Sequence, residues 1–204
     1  MLPDIISSLH GSFAPGAHSE LRAQRSLARR VTLLGGNLVA NARTDQQGVS
    51  ARVYRDGVYG FASAADLNAQ AAKKALEAAT DNARFLETRV RPGRGALPPI
   101  ATGSFPRQED FSDPEQKRYL DFVKAVDDYI RAKYPDLTSR TVVATADSME
   151  KQLLTSDGYA AHTLAPRSYV YVFLNSQTKD GMPVEVFKPV GGAGSFDARF
   201  TDPA

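Results

Sequence analysis

The sequence predicts an α+β protein of two lobes, each a mainly antiparallel sheet packed with one long helix. Three observations predict it. Residues 19–66 alternate apolar and polar side chains at period two and are broken by Gly-Gly and Asp-Gly pairs. Residues 67–87 switch to a helical period. Residues 113–190 then offer a second long helix and a further set of strands.

Residues 1–18 carry scattered Gly, Pro, Ser and His, and a loose start with one short helical turn is expected. From Ser19 to Thr44, Leu21, Val31, Leu33, Leu38 and Val39 sit among polar residues, and Gly35-Gly36 interrupts the run. This reads as strand, strand, turn, strand. Val49, Ala51 and Val53 then alternate with Ser50, Arg52 and Tyr54. Asp56-Gly57 is a hairpin signal, because Gly takes the positive φ of tight hairpin turns at no steric cost. Val58, Gly60 and Ala62 alternate with Tyr59 and Phe61 on the return. The result is a meander of four or five strands, with Asp66 as candidate N-cap of the helix behind it.

That helix, residues 67–87, puts Ala72, Ala75, Leu76, Ala79, Ala83 and Leu86 on one face. A stripe of small residues lets a helix lie close against a sheet. Residues 88–112 lose all periodicity, hold Pro92, Gly93, Gly95, Pro98, Pro99, Gly103 and Pro106, and are expected to be a linker. In the second lobe, residues 113–190, Asp113 offers a cap, Pro114 a first helical position and Gln116 a capping-box partner. Tyr119, Leu120, Val123, Val126 and Ile130 form the stripe, and Pro135 ends the helix. Strands follow at 140–147, 150–156 and 159–164, the last two flanking Asp157-Gly158. In residues 168–175, Tyr169, Tyr171 and Phe173 alternate with Val170, Val172 and Leu174, so both faces are apolar and a strand covered on both sides is expected. Residues 183–188 offer one more strand, and 191–204 read as a Gly-rich tail.

Bulk properties exclude more than they assign. A chain of 204 residues with 42% hydrophobic and 24% charged residues is ordinary for a globular protein. A net charge of +2 lacks the concentrated basic face of a nucleic-acid binder. Zero Cys excludes disulfides, thiol catalysis and Cys-based zinc sites. No apolar run approaches the ~20 residues that cross a bilayer. Residues 1–10 are too polar for a secretory signal. A cytoplasmic location is the expectation.

Candidate chemistry is sparse. His10, His18 and His162 are the only histidines, and none is paired at helical spacing, so surface or hydrogen-bonded roles are expected. Ser156-Asp157-Gly158 lacks the G-x-S-x-G pattern and reads as a turn. Gly191-Gly192-Ala193-Gly194 lacks the Lys-Ser/Thr of a phosphate loop. Glu109-Asp110 and Asp127-Asp128 read as solvated charge. Arg22, Arg25, Arg29 and Arg30 form the densest basic cluster, without interleaved aromatics to stack bases. No catalytic, cofactor-binding or metal-binding residue is nominated.

The stretch G-V-x-x-R-V-Y-R-D-G-V-Y-G-F-A-S-x-x-D-L, residues 48–67, followed by an Ala-rich helix, resembles the amino-terminal signature of the TldD/PmbA family, also called modulators of DNA gyrase or peptide-maturation proteins. The resemblance extends more weakly over about residues 19–200 and covers the family's amino-terminal half. It implies an α+β half whose β-rich carboxy-terminal counterpart, in the TldD type, carries an H-E-x-x-x-H zinc motif for peptide hydrolysis. The PmbA type is the partner subunit and lacks it. The motif is absent from these residues. The match at Gly48, Arg52, Asp56-Gly57, Gly60-Phe61 and Asp66 therefore implies fold, with zinc in the other half and no activity from this chain alone. Expected partners are peptide or unfolded-protein substrates through the full-length assembly and a homo- or heterodimeric TldD/PmbA-type subunit. Neither nucleic acid nor membrane is expected. The alternative is a stand-alone module that binds extended peptides at an exposed sheet edge.

Overall fold

The computed structural model describes residues 2–89 and 97–201. Arg91, Pro92, Gly93, Arg94 and Gly95 of the expected linker lie outside the described residues. Seven strands are β1 (His18–Leu34), β2 (Asn37–Arg55), β3 (Val58–Ala64), β4 (Gly103–Gln108), β5 (Ser139–Thr155), β6 (Tyr159–Gln177) and β7 (Pro183–Ala193). The helices are α1 (Ala69–Glu87), α2 (Gln116–Lys133) and α3 (Phe196–Arg199), with a 3-10 helix at Ser7–Ser12. The strands pair in the order β3-β2-β1-β5-β6-β4, and β7 also pairs with β6. The fold is α+β, and its pairing is mainly antiparallel, with β4 running parallel to β6.

The residues divide into two compact units that interleave along the chain instead of following one another. The first holds Met1–Ser26, Gln46–Gln108 and Met149–Leu164; the second holds Leu27–Asp45, Glu109–Ser148 and Ala165–Ala204. The reason lies in strand length. β1, β2, β5 and β6 are 17 to 19 residues long, and each contributes one part to each unit. A period-two pattern marks that a strand is present but not that its two ends serve different cores.

In the first unit α1 packs on the β2–β3 hairpin. Asp56 and Gly57 both take positive φ, 45° and 90°, which fits a two-residue hairpin turn, and Arg55 pairs with Val58. That register sets Val53 opposite Gly60. Val49, Ala51, Val53, Leu21 and Ala23 are buried with Ala71, Ala72, Ala75, Leu76, Ala79 and Ala83 of α1. A Cβ built on Gly60 would lie 2.0 Å from the Ala79 carbonyl oxygen and 2.9 Å from the Ala83 Cβ. The helix backbone thus rests directly on the strand. Asn82 Nδ2 donates to the Phe61 carbonyl (2.9 Å), and Arg55 Nε to Glu87 Oε2 (2.7 Å). The cap is Asn68, whose side chain accepts from Ala71 N at 2.8 Å, two residues beyond the expected Asp66. The start is not loose either: Ile6 and Leu9 of the 3-10 segment join this core.

In the second unit α2 packs large side chains. Tyr119, Phe122, Val123 and Ile130 meet Val31, Leu33, Val142, Ala144 and Val170. Phe196 and Phe200 complete the cluster, with Tyr119 and Phe196 ring centroids 4.3 Å apart. The expected Gly-rich tail is therefore partly strand and partly core: β7 runs to Ala193, and Gly194 N donates to the Pro166 carbonyl at 2.8 Å. Asp113 does not cap α2. The cap position is Glu115, without a side-chain bond, and Asp113 instead receives Arg29 through Nε at 2.9 Å and Nη2 at 2.7 Å. Gln116 Oε1 takes the third Arg29 bond. Asp127, expected on a solvated face, is 2% exposed and is held by Arg140 through both oxygens, at 2.8 and 3.1 Å. β4 falls inside the expected linker. All six of its residues are exposed, so it carries no burial period to read, and Pro106 suits its edge position.

Gly60→Ala is expected to lower stability by at least ~2 kcal/mol through overpacking against α1 backbone, read as a fall in urea midpoint at unchanged slope. Removing Arg140 alone (R140M) strands the Asp127 carboxylate and is expected to cost ~3 kcal/mol or more. The double change R140M with D127L is expected to recover much of that loss, and an additive double mutant would contradict the buried-pair assignment.

Candidate interaction surface

The most distinctive unassigned feature is β7 with the face of β6 beside it. Along β6, Val170, Val172 and Leu174 face α2, while Tyr169, Tyr171 and Phe173 point to the other face. No described element covers that second face in this unit, contrary to the expectation of a strand covered on both sides, and these aromatics are half-buried. They stack instead with β7. Phe173 lies opposite Phe187, rings 4.7 Å apart; Tyr171 and Phe187 are 6.1 Å apart; Tyr169 and Tyr171 are 5.8 Å apart. Gly191, with φ 149°, sits opposite Tyr169, where a Cβ would come 2.1 Å from the Ser168 carbonyl oxygen. β7 is an edge strand with apolar groups on both sides. Met182 is 65% exposed, Val186 52% and Val190 51%, beside exposed Val184 and Phe187. A contiguous apolar strand of this kind marks an interaction surface more often than scattered surface residues do. The alternation at 168–175 was visible in sequence; the lack of a covering element was not.

The polar groups of the first unit are already engaged. His18 Nδ1 contacts Asp157 Oδ2, and its Nε2 lies 3.3 Å from Glu20 Oε1. Glu20 also receives Arg52 Nη2 at 2.7 Å, and Arg52 stands over the Tyr59 ring at 5.1 Å. Burial pushes the Glu20 carboxyl up, but hydrogen bonds from Arg52 and His18 outweigh it and hold the group below its ordinary value. Ser156 Oγ accepts from Ser19 N (2.9 Å), so this serine pins the turn. His162 Nε2 lies 2.9 Å from Glu150 Oε1 and Nδ1 2.9 Å from Gln108 Nε2. His10 is exposed, edge-on to Phe13. Of the basic cluster, Arg29 is committed to Asp113 and Gln116, and Arg30 Nε reaches Thr32 Oγ1 at 3.4 Å.

These residues do not fit a zinc ion. The two carboxylates at His18 meet opposite ring nitrogens and cannot converge on one point. Among the described residues no group of three or more His, Cys, Asp or Glu is placed to hold a metal. Among the same residues no helix is long and apolar enough to cross a membrane.

Residues 19–83 match the family model described as PmbA/TldA metallopeptidase domain 1. The chain carries the first domain of the TldD/PmbA family. Solved structures with the same fold include TldE from Thermococcus kodakarensis, at 13% identity and TM-score 0.71, covering 90% of this chain and 41% of that one. A candidate modulator of a DNA gyrase from Thermotoga maritima matches at 14% identity and TM-score 0.64, covering 91% and 41%. Another from Bacteroides thetaiotaomicron matches at 18% identity and TM-score 0.64, covering 90% and 42%. This TldD/PmbA-like chain thus spans about two-fifths of the length of those structures. No curated protein matches it. The matched segment contains the β2–β3 hairpin and most of α1, the elements that Gly60 brings into contact.

The lowered Glu20 value has a sign that can be checked. A depressed carboxylate stabilises the fold above the ordinary value of 4.5, and that contribution fades as pH falls through the folded-state value. Glu20→Gln is expected to lower Tm at pH 7 and to flatten the loss of Tm between pH 5 and 3, measured by thermal melts; parallel acid limbs for both proteins would contradict it.

Proposed function

We propose that this chain is the non-catalytic amino-terminal region of a TldD/PmbA-type zinc metallopeptidase or of its partner subunit. In this reading it shapes the substrate chamber and dimer contacts through which peptides or unfolded segments are processed, in the cytoplasm. The observation that carries the reading is the match of residues 19–83 to the first domain of that family, in a chain whose sequence contains no H-E-x-x-x-H. Zinc and the hydrolytic step belong, in this reading, to the other half. What this chain contributes is surface. The uncovered aromatic face of β6 and the apolar edge strand β7 supply the area that a further domain or subunit would bury. Charged residues are few along it, with Glu185 and Lys188 on β7, as suits the centre of an interface.

A second reading is favoured by the free edge of β7. An extended peptide adding to that edge would be held by backbone hydrogen bonds with little sequence preference. It makes this chain a binding module in its own right.

The purified chain with added zinc is expected to leave peptides intact, and chelator-sensitive hydrolysis by the chain alone would sink the first reading. With a TldD-type catalytic subunit present, complex formation by analytical ultracentrifugation is expected, and Val186→Glu is expected to weaken it at least ~tenfold, the effect of placing an unpaired charge in a buried interface. Titration calorimetry with an unstructured peptide separates the readings. Binding by the isolated chain favours the edge-capture module; no binding without the second subunit favours the scaffold.

A further inference from the structure

The first unit contains a cleft of about 240 Å³ among the 3-10 segment, β4 and the β5–β6 hairpin. Its polar wall is made by Asp4, Ser7, Ser104, Gln152 and His162, and no Lys or Arg lines it. Two features set its chemistry. Asp4 accepts from Ser7 N at 3.1 Å, which helps hold its carboxyl below the ordinary range, so it carries charge at neutral pH. Gln152 is 6% exposed, and its Nε2 donates to the Pro3 carbonyl at 3.2 Å. A carbonyl only accepts, so this bond fixes which end of the amide is nitrogen. Gln152 Oε1 is then a buried acceptor with no donor among the described residues. Buried acceptors are rarely left unpaired, and one in a cleft wall needs an account.

His162 is the only potentially cationic group in the lining, and it faces Glu150 and Gln108. An anionic ligand would therefore find no free cation, whereas a ligand rich in donors finds a carboxylate, an amide oxygen and two hydroxyls. We propose that this cleft binds a primary ammonium group, with Asp4 supplying the opposite charge and Gln152 Oε1 accepting one of its three N–H donors. The volume is below the roughly 300–1,000 Å³ of pockets that enclose a drug-sized molecule, so it suits a chain end, not a long segment. The same ammonium chemistry occurs at a peptide amino terminus and on a free amine. The site stands on its own residues and does not require the peptidase reading.

The test is a titration of the full ¹⁵N-labelled chain, followed by NMR, with three probes: alanyl-alanine amide, its N-acetyl form, and propylamine. Shifts at the Gln152 side-chain amide and the Ser7 backbone are expected with alanyl-alanine amide and not with the acetylated form. Shifts with propylamine as well define a general ammonium site; shifts with the dipeptide alone define a site for peptide amino termini. Asp4→Asn and Gln152→Leu are each expected to weaken binding by on the order of tenfold, the loss of one charge-assisted hydrogen bond. Asp4 is exposed, so its variant tests the site without disturbing a core. Equal binding of the acetylated probe, no binding of either amine, or full binding by D4N would overturn the proposal. None of these outcomes bears on complex formation with a second subunit.

Discussion

The contact between Gly60 and the backbone of α1 constrains the first unit more than any other. With the Ala79 carbonyl where the Gly60 side chain would be, nothing larger than hydrogen fits there. The alanine stripe of α1 and the Asp56-Gly57 turn serve the same contact. The two-residue turn fixes the register that places Gly60 opposite Val53 and on the helix side. A slip of one residue would turn Tyr59 or Phe61 toward the helix, because side chains alternate between sheet faces. Neither ring could enter a gap in which a methyl group already clashes. The turn, the glycine and the small stripe therefore act together, and loss of one undermines the other two.

The second unit solves the same problem with the opposite choice of side chains. Its helix stands off the sheet on Tyr119, Phe122, Val123 and Ile130, and the wider gap needs Phe196 and Phe200 from the far end of the chain to fill it. Close to that gap lie two charged pairs, Arg29 with Asp113 and Arg140 with Asp127. A buried pair gains little over apolar packing, but each partner is costly once left alone. These pairs therefore discriminate against misplacement of α2 more than they add to overall stability. Arg29 reaches both Asp113 and Gln116, so it fixes the start of α2 in the role the expected cap would have played.

How much of this could be read from sequence follows from which signals are local. The Asp56-Gly57 turn, the alanine stripe and the strand of residues 168–175 were legible because turn chemistry and periodicity lie within a few residues. Asp113 was misread because its partner Arg29 is 84 residues away, and an Asp before a proline looks like a cap whatever it binds. Asp127 looked solvated because Arg140 is on another element. β4 was missed because a strand exposed on every residue has no alternation to detect. The candidate surfaces were half legible. The aromatic alternation was plain, but whether anything lies over it is a property of the assembled fold. The cleft at Gln152 left no trace in sequence, since its walls come from four separate segments.

The chemistry of β7 weighs between the two functional readings. Strand addition depends on outward backbone donors, and β7 carries Pro183 and Pro189. Proline is tolerated on an edge when its missing N–H faces away from the sheet. Both prolines lie at odd positions, so both remove donors from the same side, the side a new strand would use. Between them only residues 185 and 187 of that set keep an N–H. Natural edges use proline to discourage such pairing. The side chains send the opposite message: Val184, Val186 and Val190 on one face and Phe187 on the other are left largely uncovered. An edge that resists a strand yet exposes apolar side chains is suited to burial by the side chains of a neighbouring folded body. That combination favours a scaffold completed by another domain or subunit over a free-standing peptide clamp.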